Sequence, residues 1–351
     1  MTLEDLENSL HSWLSQGATD VFLSEGAVPR VRANGELVQL ETGPMSREDL
    51  ETLWEACRAS VENDRDRDVR MQMAGGGYLR VNLYRAMDKL SAAIRPIKDE
   101  IPDMDSLGLP SLLLRSWTSR ASGIIIVTGA TGSGKSTTIA SALDDLNDRY
   151  RKHIVTLEDP IEYLFTNKES YFSQREISSD TNDFAAALRA TLRQNPDVIM
   201  VGEIRDEETA RMTLKAAETG HLVLTTLHSP GVVETMERLT NFFPSDQRAT
   251  SLLLLSKHLI GVMSQALLPG TDGWLKLVTE YFENEGATRK WIREGQYREM
   301  HDFLSRSGNE HTRDLLTGLV EAYQAGLISA DTGRNAAPNP GDFDRVIRGI
   351  V

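Results

Sequence analysis

Apolar residues at Leu3, Leu6, Leu10, Trp13 and Leu14 fall on one stripe of a helix over residues 3–16. The period then shortens. Stretches 21–23, 28–31 and 37–38 read as short strands, separated by Gly26 and by the hairpin-turn dipeptide Asn34-Gly35. Ser46 can cap a helix that carries Leu50, Leu53, Trp54 and Cys57. Residues 62–70 are rich in charge and read as a solvated face or loop. Gly75-Gly76-Gly77 makes a turn into two further strands, 78–84 and 90–97. These elements predict a small α+β domain over 1–98. Pro102, Gly108 and Pro110 mark a linker over 99–110.

From residue 111 strands alternate with helices, the pattern of parallel crossover units. The strands are 124–128, 154–157, 198–201 and 222–226. A helix over 137–146 follows the first. Another runs over 183–194 and is ended by Pro196. A third, 207–219, has Asp206 as its cap, Glu207 and Glu208 at its positive end, and Gly220 just past its close. Residues 247–268 read as a long apolar helix, and 274–282 as one more strand. Helical stretches follow, with loop-like segments at 305–309 and 335–341. The expected division is an α/β core over 111–285 and a helical region over 286–351.

Hydrophobic residues make up 40% of the chain and charged residues 26%, as in an ordinary globular protein. The net charge of −14 argues against nucleic acid as the main ligand and leaves room only for a local basic patch. No run of 18 apolar residues is present, so no membrane insertion is expected. The acidic start Met1-Thr2-Leu3-Glu4-Asp5 lacks the order of a secretory signal, and the cytoplasm is the expected compartment. The single cysteine, Cys57, excludes an intrachain disulfide or a cysteine-rich zinc site and reads as a packing residue.

The chemistry centres on Gly129-Ala130-Thr131-Gly132-Ser133-Gly134-Lys135-Ser136, which fits the phosphate-binding loop G-x-x-x-x-G-K-[ST]. The strand before it and the helix beginning near Thr137 supply the required context. Its glycines let backbone N–H groups approach phosphate oxygens. Lys135 adds positive charge for the β- and γ-phosphates, and the Ser136 hydroxyl can ligate Mg²⁺. ATP and Mg²⁺ are therefore the expected ligands.

Ligands of open parallel sheets sit at the carboxyl ends of strands. Glu158, Asp159 and Glu162 follow one strand there, as a phosphate-site cluster or as a plain turn before Pro160. Glu203 follows another, where it can orient water against the γ-phosphate or hold Mg²⁺ through water. A solvated helix-capping acid is the alternative. His228 follows the strand 222–226 and His221 precedes it. Their spacing matches no common metal motif, and a strand-end histidine is more often structural.

The run from Gly129 to Ser229 resembles the secretion-superfamily ATPases that drive type IV pili and type II secretion. Residues 157–163 (LEDPIEY) resemble the family's aspartate box, 195–206 (NPDVIMVGEIRD) its Walker B segment, and 219–228 (TGHLVLTTLH) its histidine box. Residues 18–26, 32–35 and 80–82 resemble its PAS-like N-terminal domain. With no cysteine cluster, the chain is most similar to the retraction branch, the PilT type or its PilU-like paralogue. The resemblance implies a RecA-like P-loop NTPase core with a mostly parallel sheet, a PAS-like front domain and a helical C-terminal region. It implies a homohexameric ring that hydrolyses ATP with Mg²⁺ and works on an inner-membrane pilus platform protein from the cytoplasmic side. It raises His221 and His228 to site residues, makes Glu203 the catalytic carboxylate and gives Glu162 an assisting role. In such a ring Arg80 and Arg95, on adjacent apolar strands, are candidates to complete a neighbour's site, because a guanidinium can grip a phosphate in two places. Surface charges on an edge sheet are the other reading of this pair. A secretion or DNA-uptake motor, or a regulatory subunit that binds nucleotide with little turnover, are the alternatives.

Overall fold

The computed structural model describes residues 1–33, 35–177, 179–306 and 311–349. Asn34 of the expected Asn-Gly turn and residues 307–309 of the expected loop lie outside the described residues. The chain forms two compact units, Met1–Glu100 with Glu162–Leu164, and Ile101–Ile161 with Phe165–Val351.

In the first unit the elements run α1 (Leu3–Ser15), β1 (Ala18–Ser24), β2 (Arg30–Ala33), β3 (Glu36–Gln39), α2 (Arg47–Ala56), β4 (Asp66–Gln72), β5 (Tyr78–Ala86) and β6 (Lys89–Pro96). The strands make one antiparallel sheet in the order β3-β2-β1-β6-β5-β4. Thr2 and Ser46 each cap their helix, and Asp5 and Asp49 return the hydrogen bond to the cap residue's N–H. Alternate strand residues such as Leu79, Val81 and Leu83 join Leu6, Leu10, Leu53 and Trp54 in one core. Each large side chain so buried stabilises the unit by roughly 1.5–3 kcal/mol before entropy is counted. Cys57 lies in that core, and burial pushes its thiol up to about 12. The charge-rich stretch expected as a loop contains β4. Its charges suit an edge strand, where Asp66, Arg67 and Asp68 stay in water and discourage further strand pairing.

The second unit runs α3 (Ser111–Thr118), β7 (Gly123–Thr128), α4 (Lys135–Arg149), β8 (His153–Glu158), β9 (Tyr171–Glu176), α5 (Phe184–Thr191), β10 (Val198–Val201), α6 (Glu207–Glu218), β11 (Leu222–Leu227), α7 (Val232–Asn241) and α8 (Arg248–His258). It continues through β12 (Leu259–Pro269), β13 (Leu275–Glu283), α9 (Ala287–Glu294), α10 (Tyr297–Arg306), β14 (Thr312–Arg313), α11 (Leu315–Gln324), α12 (Ala330–Ala336) and α13 (Pro340–Ile347). The sheet order is β14-β13-β12-β7-β11-β10-β8-β9. From β12 to β9 all pairs are parallel, and β13 and β14 add antiparallel edges. β7, β10 and β11 are buried throughout, as expected for strands covered by helices on both faces.

The expected long helix over 247–268 is wrong in its second half. α8 ends at His258, and Leu259 begins a strand. A continuous apolar run carries no period to distinguish buried strand from buried helix. Tertiary packing decides it: a Cβ at Gly261 would collide with the Trp117 indole, so this strand needs a glycine where α3 lies against it. β9 was also missed, because its polar residues occupy a sheet edge. Among the described residues no helix is long and apolar enough to cross a membrane.

Candidate active site

The loop from β7 to α4 is shaped by two close approaches. Gly129 has φ +143°, and a Cβ there would collide with the Gln265 carbonyl and lie 2.6 Å from Ser133 Oγ. Gly134, at the start of α4, has φ +87°, a left-handed conformation that glycine adopts without strain. No side chain caps α4. Lys135 is buried and curls back over the loop, its Nζ donating to the carbonyls of Gly129 (3.0 Å) and Ala130 (2.8 Å). Ser133 Oγ is buried inside the loop with no hydrogen-bond partner. A cradle that a Cβ would fill, a buried orphan hydroxyl and an inward lysine are the features a bound phosphate requires, and these residues fit a nucleotide.

Gln265 on β12 holds this loop from the side. Its Nε2 donates to Ser133 O (2.5 Å), and its Oε1 accepts from Thr138 Oγ1 (2.9 Å). Sequence reading missed this residue. The available signal was a polar pair, Ser264-Gln265, inside an otherwise apolar run.

Strand order brings the expected carboxylates beside the loop's end of the sheet. Glu158 ends β8, buried, and accepts from Thr156 Oγ1 (2.7 Å) and Gln174 Nε2 (3.2 Å). Glu203 follows β10, and its backbone is clamped on both sides. Gly202 N donates to Leu157 O (2.8 Å), and Thr226 Oγ1 donates to Gly202 O (2.6 Å). One oxygen of Glu203 pairs with Arg205, which also reaches Asp159 Oδ2 at 3.1 Å. The other lies 3.4 Å from His228 Nε2. Burial lowers the pKa of His228, and the Lys135 cation lowers it further against the opposing pull of Glu203. The net effect favours the neutral ring. Thr128 Oγ1 donates to Leu227 O and accepts from Ser229 N, which ties the end of β7 to that of β11.

Other expected residues stand elsewhere. His221 lies before β11, where its Nδ1 is 2.9 Å from Ala216 O at the end of α6. His221 and His228 are 7 positions apart and flank β11, so they are separated by about 23 Å at the strand rise of about 3.3 Å per residue. His221 thus stands at the end of β11 opposite the phosphate loop, as its place before the strand implies. Glu162 belongs to the first unit, where its carbonyl accepts from Lys98 N (3.2 Å). Arg80 and Arg95 are direct partners in the β5–β6 register. Their side chains are 42% and 63% exposed, because alternate positions of these strands point away from the core. Arg95 donates to Asp20 Oδ1 (2.8 and 2.5 Å), and Arg80 lies 3.8 Å from Asp68.

Beside the phosphate loop a cleft of about 570 Å³ is walled by Leu267, Leu268 and Leu315 and holds Glu234 and Glu280. Both carboxylates converge on Gly231, where a Cβ would touch each of them. Burial raises Glu280 to about 7, Glu234 and Asp314 add to the rise, and the bond from Val232 N (3.1 Å) opposes it. The cleft has the size and the mixed lining suited to the nucleoside end of a nucleotide.

A glycine-rich loop between a buried parallel strand and a helix, with a carboxylate at the end of a nearby strand, defines the P-loop nucleotide hydrolases. Residues 79–295 match the family of type II/IV secretion system proteins. The Pseudomonas aeruginosa type IV pilus retractation ATPase PilT is 35% identical over 97% of this chain and 100% of its own. The type IV pilus ATPase PilU of the same organism is 31% identical over 98% and 91%. A crystal structure of the pilus retraction motor PilT with bound ADP superposes with a TM-score of 0.90 at 36% identity, covering 98% of this chain and 99% of that one. The chain belongs to the type II/IV secretion family and is an ATPase of the PilT type.

Proposed function

We propose that this protein is the ATP-hydrolysing subunit of a motor that retracts type IV pili. The observation that carries the reading is the convergence of Lys135, Glu203 and His228 at one end of the sheet, in a chain similar to PilT over nearly its whole length. The loop Gly129–Thr137 holds the phosphates through its N–H groups, and Lys135 neutralises their charge. The Ser136 hydroxyl and Glu203 are the residues that would hold Mg²⁺, which would screen the phosphate oxygens. Glu203 orients a water so that its oxygen attacks the γ-phosphorus. The bond to the bridging oxygen breaks, and ADP and inorganic phosphate leave. Neutral His228 holds Glu203 in place, Glu158 and Asp159 brace the site through Gln174 and Arg205, and Glu162 assists.

The motor is a homohexamer in which Arg80 and Arg95 of one copy complete the site of the next. It acts from the cytoplasm on an inner-membrane pilus platform protein. A deletion strain tests this: it should keep surface pili and lose twitching, and wild-type protein but not the Glu203→Gln variant should restore it. Unimpaired twitching in the deletion strain would overturn the retraction role.

A further inference from the structure

Independently of the nucleotide site, we propose that the groove between the end of α8 and the start of α9 docks an acidic peptide segment of a partner protein. In a chain of net charge −14, this groove collects cations. Lys257, Arg289, Lys290 and Arg293 line a cavity of about 380 Å³, with Leu253 at its rim. A second hollow of about 140 Å³ shares Lys257 and Arg289 and extends the groove to Arg120.

Local acids, Glu283 and Glu285 in the second hollow and Glu294 beside the first, neutralise only part of it. Arg120 is occupied by Glu283 (2.9 Å) and Glu285 (3.7 Å), and Arg293 by its neighbour Glu294 (3.4 Å). Arg289 donates to the Asn284 carbonyl (3.4 Å). Among the described residues neither it nor Lys257 or Lys290 has an acid within ion-pair distance. All three are exposed.

Helix stability does not account for the arrangement. Lys257 lies in the last turn of α8, where a cation suits the negative end. Arg289 and Lys290 lie in the first turn of α9, the positive end, which holds no acid and has no side-chain cap. There a cation opposes the helix dipole. Thr288 and Ile292 bury the other face of α9, so these cations serve no packing role that a neutral side chain could not fill.

The occupant follows from charge and shape. A continuous groove with cations on both walls suits several spaced carboxylates on one chain better than a single phosphate. Leu253, 38% exposed, offers an apolar contact between them. A groove admits one extended chain, whereas a flat layer of anionic headgroups would also face the acidic surface around it, which favours a peptide over lipid.

The test is fluorescence anisotropy of a short labelled peptide of Glu, Asp and Leu, added to the full-length protein. Binding is expected, weakening with salt and absent for the same peptide with Gln and Asn in place of the acids. Lys257→Ala/Arg289→Ala/Lys290→Ala should weaken it about tenfold or more while ATPase turnover and the circular dichroism melt stay at wild-type values. If the triple variant folds poorly, Lys290→Glu alone, at an exposed site, carries the comparison. No peptide binding, or equal binding by these variants, overturns the proposal. So does a groove that takes up phosphatidylglycerol vesicles or inorganic phosphate in preference to the peptide.

Discussion

Glu203 and His228 meet across the ends of neighbouring strands, Oε2 to Nε2 at 3.4 Å, although 25 positions separate them in the sequence. Parallel pairing of β10 with β11 places them there. The same pairing leaves the Glu203 carboxylate between the Arg205 cation and a ring whose pKa is lowered by burial.

Glu203→Gln keeps the shape of the side chain and removes its charge. Turnover should fall about a hundredfold or more, the range for loss of a positioned catalytic group, while ADP affinity stays near wild type. Steady-state hydrolysis and isothermal titration read the two effects separately. Wild-type turnover in the variant would remove Glu203 from the catalytic role.

Gln265→Leu fills the same space without the amide. The Ser133 carbonyl and the Thr138 hydroxyl then lose a buried partner, at a cost of about 1–3 kcal/mol. Urea denaturation should show that loss, and ADP affinity should drop with it because the phosphate loop is no longer held. A variant as stable and as tight as wild type would show that the clamp is dispensable.

Glu280 links stability to pH. Its folded-state pKa is about 7 against an ordinary 4.5, so the folded state binds its proton more tightly than the unfolded chain. The stability it contributes is complete below pH 4.5 and is lost as pH rises to about 7. Glu280→Gln is neutral at every pH. It should therefore gain up to about 3 kcal/mol over wild type at pH 8 and little at pH 4.5. Urea midpoints at the two pH values check this, and an equal effect at both would contradict it.

Met87 and Asp88 form the two-residue turn between β5 and β6, with φ +52° and +62°, and Met87 is 95% exposed. Asn-Gly suits such a turn far better than a methionine does. Met87→Asn/Asp88→Gly should stabilise the protein by about 1 kcal/mol, visible as a higher urea midpoint.

Arg80 and Arg95 are exposed; Arg80 lies 3.8 Å from Asp68, while Arg95 is bonded to Asp20 and would have to exchange that partner for a neighbouring copy's phosphate. Inactive Arg80→Ala/Arg95→Ala subunits mixed with inactive Glu203→Gln subunits should recover part of the hydrolysis, since some interfaces would pair two intact halves. No recovery in assemblies shown to be mixed would place these arginines outside the shared site.

The phosphate loop was legible in the sequence because its function lies in its backbone. Glycine at 129 and 134 is demanded by local conformation and close approach, and both demands are written at those positions. The caps at Ser46 and Asp206 were equally local, as was the wholly apolar strand Val198–Val201. Glu203 was legible from its place after an apolar strand, and His228 came through the family resemblance; neither reading paired the two. Tertiary structure alone decided the rest. A largely apolar run at 259–269 became a strand only because β7 and β13 were there to pair with it. Gln265 became a clamp only when that strand lay beside the loop. His221 and His228, seven positions apart in one motif, were parted by the length of an extended strand. Local conformation depends on neighbours in the chain, whereas strand order and register depend on residues far from them in sequence, and those decided which side chains share the site.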